Sequence, residues 1–290
     1  MIEMIFVIVI LGIIAALGSG VIAKIYESYI YSRTINTLQT KTETTLTQIA
    51  KYLSFRVKQS VIARKLSPNE NQISSLPMAD GTYKILEWIG YDNEGFEGND
   101  SGPGWSGLVD LSSVATSKSQ IKTPGSHLSY AESVINVLSN GDVVLSNANS
   151  SAGIIFSGLP NQFDIEQYGW NDWNGTVKHD YILRVKKGAE DLLQFNENNA
   201  STVYEHYQLV WSAYAIVPEG NINDRNLTFY YNYRPWMAEK YSDGDSSVLM
   251  EHVSTFKFRQ IGETIRLKLC IFDPIGADEN ITFCKEKVIF

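Results

Sequence analysis

Residues 1–23 read MIEMIFVIVILGIIAALGSGVIA, and their reading decides the fold. Residues 4–23 carry no charge, and Ser19 holds their only side-chain hydroxyl. At about 1.5 Å per residue, a helix of that length spans the roughly 30 Å hydrocarbon core of a bilayer. Helices buried in soluble cores are seldom apolar on every face for so long, so the stretch reads as a membrane helix. A secretory signal peptide would be basic ahead of a shorter apolar run and would end in small residues. Here the charge ahead of the run is Glu3, and the run passes without a break into helix-like sequence. The segment is therefore expected to stay on the chain. A carboxylate at that point costs little while it reaches the headgroups; inside a helical bundle it needs a cation or a proton.

The helix is expected to continue. Residues 24–63 contain neither Pro nor Gly, and Ile35, Leu38, Leu46, Ile49, Leu53 and Val57 recur at helical spacing, with Thr42 filling the gap. That is one apolar stripe, with Gln39, Lys41, Glu43, Gln48, Lys51 and Lys58 on the other faces. Pro68 marks the expected end. The chain thus divides into a membrane helix (1–24), an amphipathic shaft helix (25–66) and a globular head (67–290).

In the head, residues 69–77 read as a loop and 83–91 as a strand. Residues 91–108 hold five glycines, one proline and four acids, the composition of turns and surface loops. Strands are expected at 142–145, 153–156 and 181–185, with a polar aromatic loop at 168–175. The last third is the clearest β region: 204–217, 227–233, 253–260, 265–271 and 281–290, with 261–264 as a short hairpin link. The fold class expected is α+β, a long helix packed on an antiparallel sheet. Cys270 and Cys284 are the only cysteines. With an N-terminal anchor the head sits where disulfides persist, and a bond between them would tie the last two strands together.

The net charge is −8 and no basic block exists, so nucleic acid is not an expected partner. His127, His179, His206 and His252 are scattered without metal-type pairing. Gly104-Trp105-Ser106-Gly107 is not a nucleophile elbow, no phosphate-binding loop occurs, and Glu190-Asp191 reads as a solvated turn. No enzyme is expected. Acids cluster at Asp92, Glu94, Glu97 and Asp100, at Asp243 and Asp245, and at Asp273, Asp278 and Glu279. None has EF-hand spacing, so no cofactor is expected; Asp92, Glu94, Asp273 and Asp278 are the nearest to a calcium set. Trp88, Trp105, Trp170, Trp173 and Trp236 lie in or beside loops, where they either form a contact surface or pin the loops to a core.

Met1-Ile2-Glu3-Met4-Ile5, followed by the apolar run from Phe6 to Leu17, resembles the N-terminus of type IV pilins and type II secretion pseudopilins. Residues 249–259, LMEHVSTFKFR, are similar to the entry into the C-terminal sheet of the larger minor members. Family members begin with a basic leader that ends in Gly and is cut ahead of a Phe-Thr or similar pair, so the resemblance implies a start upstream of Met1. It implies that Glu3 meets the N-terminal amine of a neighbouring subunit, and that Met4, Phe6, Val9, Leu11, Ile14 and Leu17 lie in membrane or filament. The implied partners are other pilin or pseudopilin subunits, an inner-membrane assembly platform, a prepilin peptidase and membrane lipid. The implied location is a bacterial inner membrane, single-pass, with the head in the periplasm. Some pseudopilins bind calcium in loops, but no residue here transfers from that fact. In such a bacterial chain the six Asn-x-Ser/Thr sequons are chance. The function expected is that of a large minor pilin or pseudopilin near a filament tip. The rival is a signal-anchored binding or adhesion module that never polymerises.

Overall fold

A computed structural model describes residues 2–159, 164–171, 181–196, 200–274 and 280–290. Helix α1 (Ile2–Ser54) is followed by short strands β1 (Ile62–Arg64) and β2 (Ile73–Ser75), then β3 (Ile85–Tyr91). Next come helix α2 (Asn93–Glu97), strand β4 (Gln120–Lys122), helix α3 (Leu128–Leu138) and strand β5 (Gly153–Phe156). Two hairpin strands follow, β6 (Leu183–Ala189) and β7 (Leu192–Phe195). The rest is β8 (Tyr207–Asn221), β9 (Asp224–Tyr233), β10 (Asp245–Ile261), β11 (Thr264–Pro274) and β12 (Asn280–Ile289).

The strands run β12-β11-β10-β9-β8-β5-β6-β7-β4, and β3 with β1 and β2 branches from β8. Every strand pair among the described residues is antiparallel. The molecule is therefore α+β, a long apolar helix with a large antiparallel sheet. The β10–β11 hairpin closes through Ile261 and Thr264, as the alternation of Phe256 and Phe258 with Lys257 and Arg259 requires.

The expected shaft of 25–66 is too long, because α1 stops at Ser54. Beyond it the β-branched Val57, Val61 and Ile62 are poor helix formers, and a sheet edge offers them partners. The Val57 N–H donates to the Ile89 carbonyl (2.8 Å), and residues 62–64 pair with both β2 and β3. The Arg56 guanidinium donates to the Leu53 carbonyl (2.8 Å) and so satisfies one of the orphan acceptors at the helix end.

The segment 142–145 is not a strand. It forms turns after Asn140 and Gly141, both at positive φ, and drops Val143 and Leu145 into the core. The strand expected from 181 begins at Leu183 and runs on to Ala189. Within 91–108 the chain makes the short α2, and α3 forms in a stretch for which the sequence pattern predicts no element. Leu128, Ala131 and Ile135 of α3 are buried with Trp105 against β5–β7. Trp88, Trp105, Trp170 and Trp236 are all buried, so none presents a surface: Trp88 packs from within β3, and the other three pin loops. The indoles of Trp105, Trp170 and Trp236 donate to the carbonyls of Asp92, Ser60 and Ser151. Trp173 lies outside the described residues.

Among the described residues one ion pair is fully buried, Arg64 with Glu87. Arg64 also donates to the carbonyls of Trp170 (2.8 Å) and Glu70 (2.7 Å), and the Tyr233 hydroxyl donates to Glu87 (3.1 Å). Those extra bonds satisfy the remaining donors and acceptors, which is the condition under which a buried pair is tolerated.

Candidate functional site

The two halves of α1 differ in what surrounds them. No residue of 2–37 is buried, and Phe6 and Leu17 are 67% and 69% exposed. From Leu38 onward one stripe goes under: Leu38, Thr42, Thr45, Leu46, Ile49 and Leu53. The first half is long and apolar enough to cross a membrane. Met4, Phe6, Val9, Leu11, Ile14 and Leu17 point around the whole helix circumference, so no single neighbour within the head could cover them. Ser19 returns its hydroxyl to the Ala16 carbonyl (2.9 Å), which keeps that polar atom satisfied away from water. Glu3 is exposed in the first turn, where the helix dipole favours a negative charge.

Sequence reasoning missed the belt that follows the apolar run. Tyr26, Tyr29 and Tyr31 are all exposed, just after Lys24. Tyrosines at this position suit a membrane–water interface, with ring in the headgroups and hydroxyl in water. The signal was in plain view: three tyrosines in six residues. From Tyr31 to Leu38, the first buried residue, the helix rises about 10 Å, so a short bare stalk separates the belt from the head.

The second half is seated by packing and by charge. Leu46 and Ile49 are completely enclosed by the sheet core, among them Leu267 and Leu269. The Thr42 hydroxyl folds back to the Leu38 carbonyl (2.7 Å), and that of Thr45 reaches the Leu249 carbonyl (3.4 Å). At the rim, Glu43 pairs with Lys285, while Lys287 lies 3.6 Å from Glu43 and donates to Thr47 (2.9 Å). The hydrogen bond from Lys285 holds the Glu43 carboxyl below the usual carboxylate range. Lys285 and Lys287 are two residues apart on β12, so both reach the same face. The strand that carries them is stapled to its neighbour, because Cys270 on β11 faces Cys284 on β12 and the two are bonded.

The calcium candidates are not brought together. Asp92 is buried as the N-cap of α2, accepting from the Gly95 N–H (3.2 Å), and burial pushes its carboxyl up to about 7. Glu94 is exposed, and Glu97 accepts from Asn93 (2.9 Å). Asp243 accepts from the Lys240 N–H, Asp245 accepts from Asn232 (3.1 Å), and Asp273 lies in β11. Asp278 and Glu279 fall outside the described residues. Among the described residues no three His, Cys, Asp or Glu side chains are grouped to hold a metal ion.

No family model matches the chain, and no curated protein or solved structure is similar to it.

Proposed function

We propose that the chain is a structural subunit of a pilin-like filament, a large minor pseudopilin of type II secretion or a minor pilin of a type IV pilus. The observation that carries this reading is the division of α1. One continuous helix offers an all-round apolar half to a medium outside the head and a one-striped half to the sheet. In the proposed cycle residues 4–23 first sit in the inner membrane, with the Tyr26–Tyr29–Tyr31 belt at its surface and the head in the periplasm. On extraction by the assembly platform the same apolar surface is reburied against helices of other subunits. Glu3 then leaves the headgroups and pairs with a neighbour's N-terminal amine, because an unpaired carboxylate among apolar helices is costly. A head this large crowds a helical lattice, which favours a place at the tip over a place in the bulk repeat. The mechanism is assembly and involves no chemistry by the head.

The test is mass spectrometry of the native protein extracted from membranes. The reading expects a mature start two residues ahead of Met1, with a methylated Phe first and the leader removed by a prepilin peptidase. A native chain that starts at Met1, or that keeps a basic leader, contradicts it and favours the anchored module that does not polymerise.

A further inference from the structure

Asp92 follows β3 directly and is 1% exposed. One carboxyl oxygen, Oδ1, accepts from the Gly95 N–H (3.2 Å). The other, Oδ2, is buried and has no hydrogen-bond partner. Among the described residues no Lys, Arg or His forms an ion pair with it. Gly95 comes so close that a Cβ there would stand 1.9 Å from Oδ2, so only glycine fits above this oxygen.

A cap of chain closes over the carboxyl. The Trp105 indole and the Phe96 N–H both donate to the Asp92 carbonyl (2.8 and 3.0 Å). The Gly104 N–H donates to the Gly95 carbonyl (2.8 Å), and the His127 N–H, at the start of α3, donates to the Gly104 carbonyl (3.1 Å). The Trp105 ring lies 4.9 Å from that of Phe96 and 6.2 Å from that of Tyr91. Helix α2 and the Trp105 segment are thus fastened to the sheet around Asp92.

An unpaired carboxyl in such a place is costly when charged and tolerable when protonated. The groups that face it do not reverse that balance. The Gly95 N–H and the indoles of Trp211 and Trp105 favour the charge, Glu94 on α2 opposes it, and burial outweighs them all. Glu97, also on α2, is taken up by Asn93 (2.9 Å), and the His127 ring stands beside Gly102. Tyr91 on β3 and Tyr214 on β8 are raised by burial and stay neutral.

We propose that Asp92 is a proton-operated latch: protonated, it holds α2 and the Trp105 segment closed on the sheet, and loss of the proton loosens them. Linkage fixes the direction. In an open cap the carboxyl meets water and titrates at its ordinary value of 3.8; in the closed cap it titrates at about 7. The closed form therefore binds the proton more tightly. Its stability is full below pH 3.8, falls as pH rises from there through about 7, and is level above. The latch does not depend on whether the chain polymerises.

The test is hydrogen exchange of the full chain in lipid nanodiscs, read by mass spectrometry and corrected for the intrinsic effect of pH on exchange. Between pH 5 and pH 8, peptides covering residues 93–105 should lose about a hundredfold in protection, while those of β10–β11 change little. Asp92→Asn keeps an acceptor for the Gly95 N–H and cannot ionise. Its cap should be at least as protected at pH 8 as that of the unaltered chain at pH 5, with no slope. Glu97→Gln, an exposed acid in the same cap, should keep the slope. The proposal is overturned if the cap and β10–β11 share one pH profile, if Asp92→Asn keeps the slope, or if Glu97→Gln abolishes it. Should Asp92→Asn fail to fold, the profile of the unaltered chain and that of Glu97→Gln decide.

Discussion

Residues 2–37 and residues 38–54 share one backbone helix and have opposite relations to the head. In the first half, residues 4–23 carry apolar side chains on every face, and no residue of 2–37 is buried. In the second, one stripe is buried and the remaining faces are polar or charged. A bilayer or a bundle of like helices surrounds a helix evenly, so it demands apolarity all round. A sheet covers one side only, so it demands a stripe. The pattern of a helix therefore records the geometry of its surroundings, outside the folded head as well as within it.

The comparison breaks most visibly if the two halves respond alike to truncation. Leu46→Ala should destabilise the head by about 2–5 kcal/mol, since Leu46 is wholly enclosed. Leu17→Ala should leave the head's denaturant midpoint where it is. Equal losses would mean that the first half packs on the head after all. A charge sharpens the contrast from the other side. Val9→Asp should raise the cost of membrane insertion by about 3 kcal/mol, read as protein lost from the membrane fraction, with the melting temperature of the head unchanged.

The next effect tests how the seat is held. Cys284→Ser should cost up to about 3 kcal/mol by freeing a loop of this size, and it should loosen the strand that carries Lys285 and Lys287. Hydrogen exchange would show lost protection in β12 and in residues 43–47 of the helix, and none in the stalk. The smallest effect is that of pH. The Glu43 carboxyl titrates below its ordinary value of 4.5 because Lys285 bonds to it. Its contribution to the seat is present above that value and disappears as pH falls through the lowered folded value. Glu43→Gln should remove that acid-side slope from the unfolding curve without altering the slope at neutral pH.

Much of the fold was legible because its signals are local. The apolar run, the alternation of residues 265–271 and the tight link at 261–264 each need only neighbouring residues to be read. Three things were hidden because they depend on distant partners. The end of α1 is set by the edge of β3, which claims Val57 and residues 62–64 for the sheet. Helix α3 carries β-branched Val134, Ile135 and Val137 and has no side-chain cap, so its propensity is poor and its packing on β5–β7 decides. Tyr52 of α1 packs on Phe229 of β9 with ring centroids 4.7 Å apart, and no spacing in the sequence joins the two. Of the site itself, Glu3 and the apolar residues were readable and the tyrosine belt was overlooked. The grip of Lys285 and Lys287 on Glu43 was not accessible without the register of β12.

The most direct test of the central claim, that the exposed half of α1 is built for neighbouring helices, is photo-cross-linking in the living cell. A benzoyl-phenylalanine placed at Leu11 should form a covalent adduct with the apolar helix of another subunit. Glu3→Ala should abolish that adduct while the head still melts at its usual temperature. Adducts to lipid alone, or a protein adduct that Glu3→Ala leaves intact, would contradict the account.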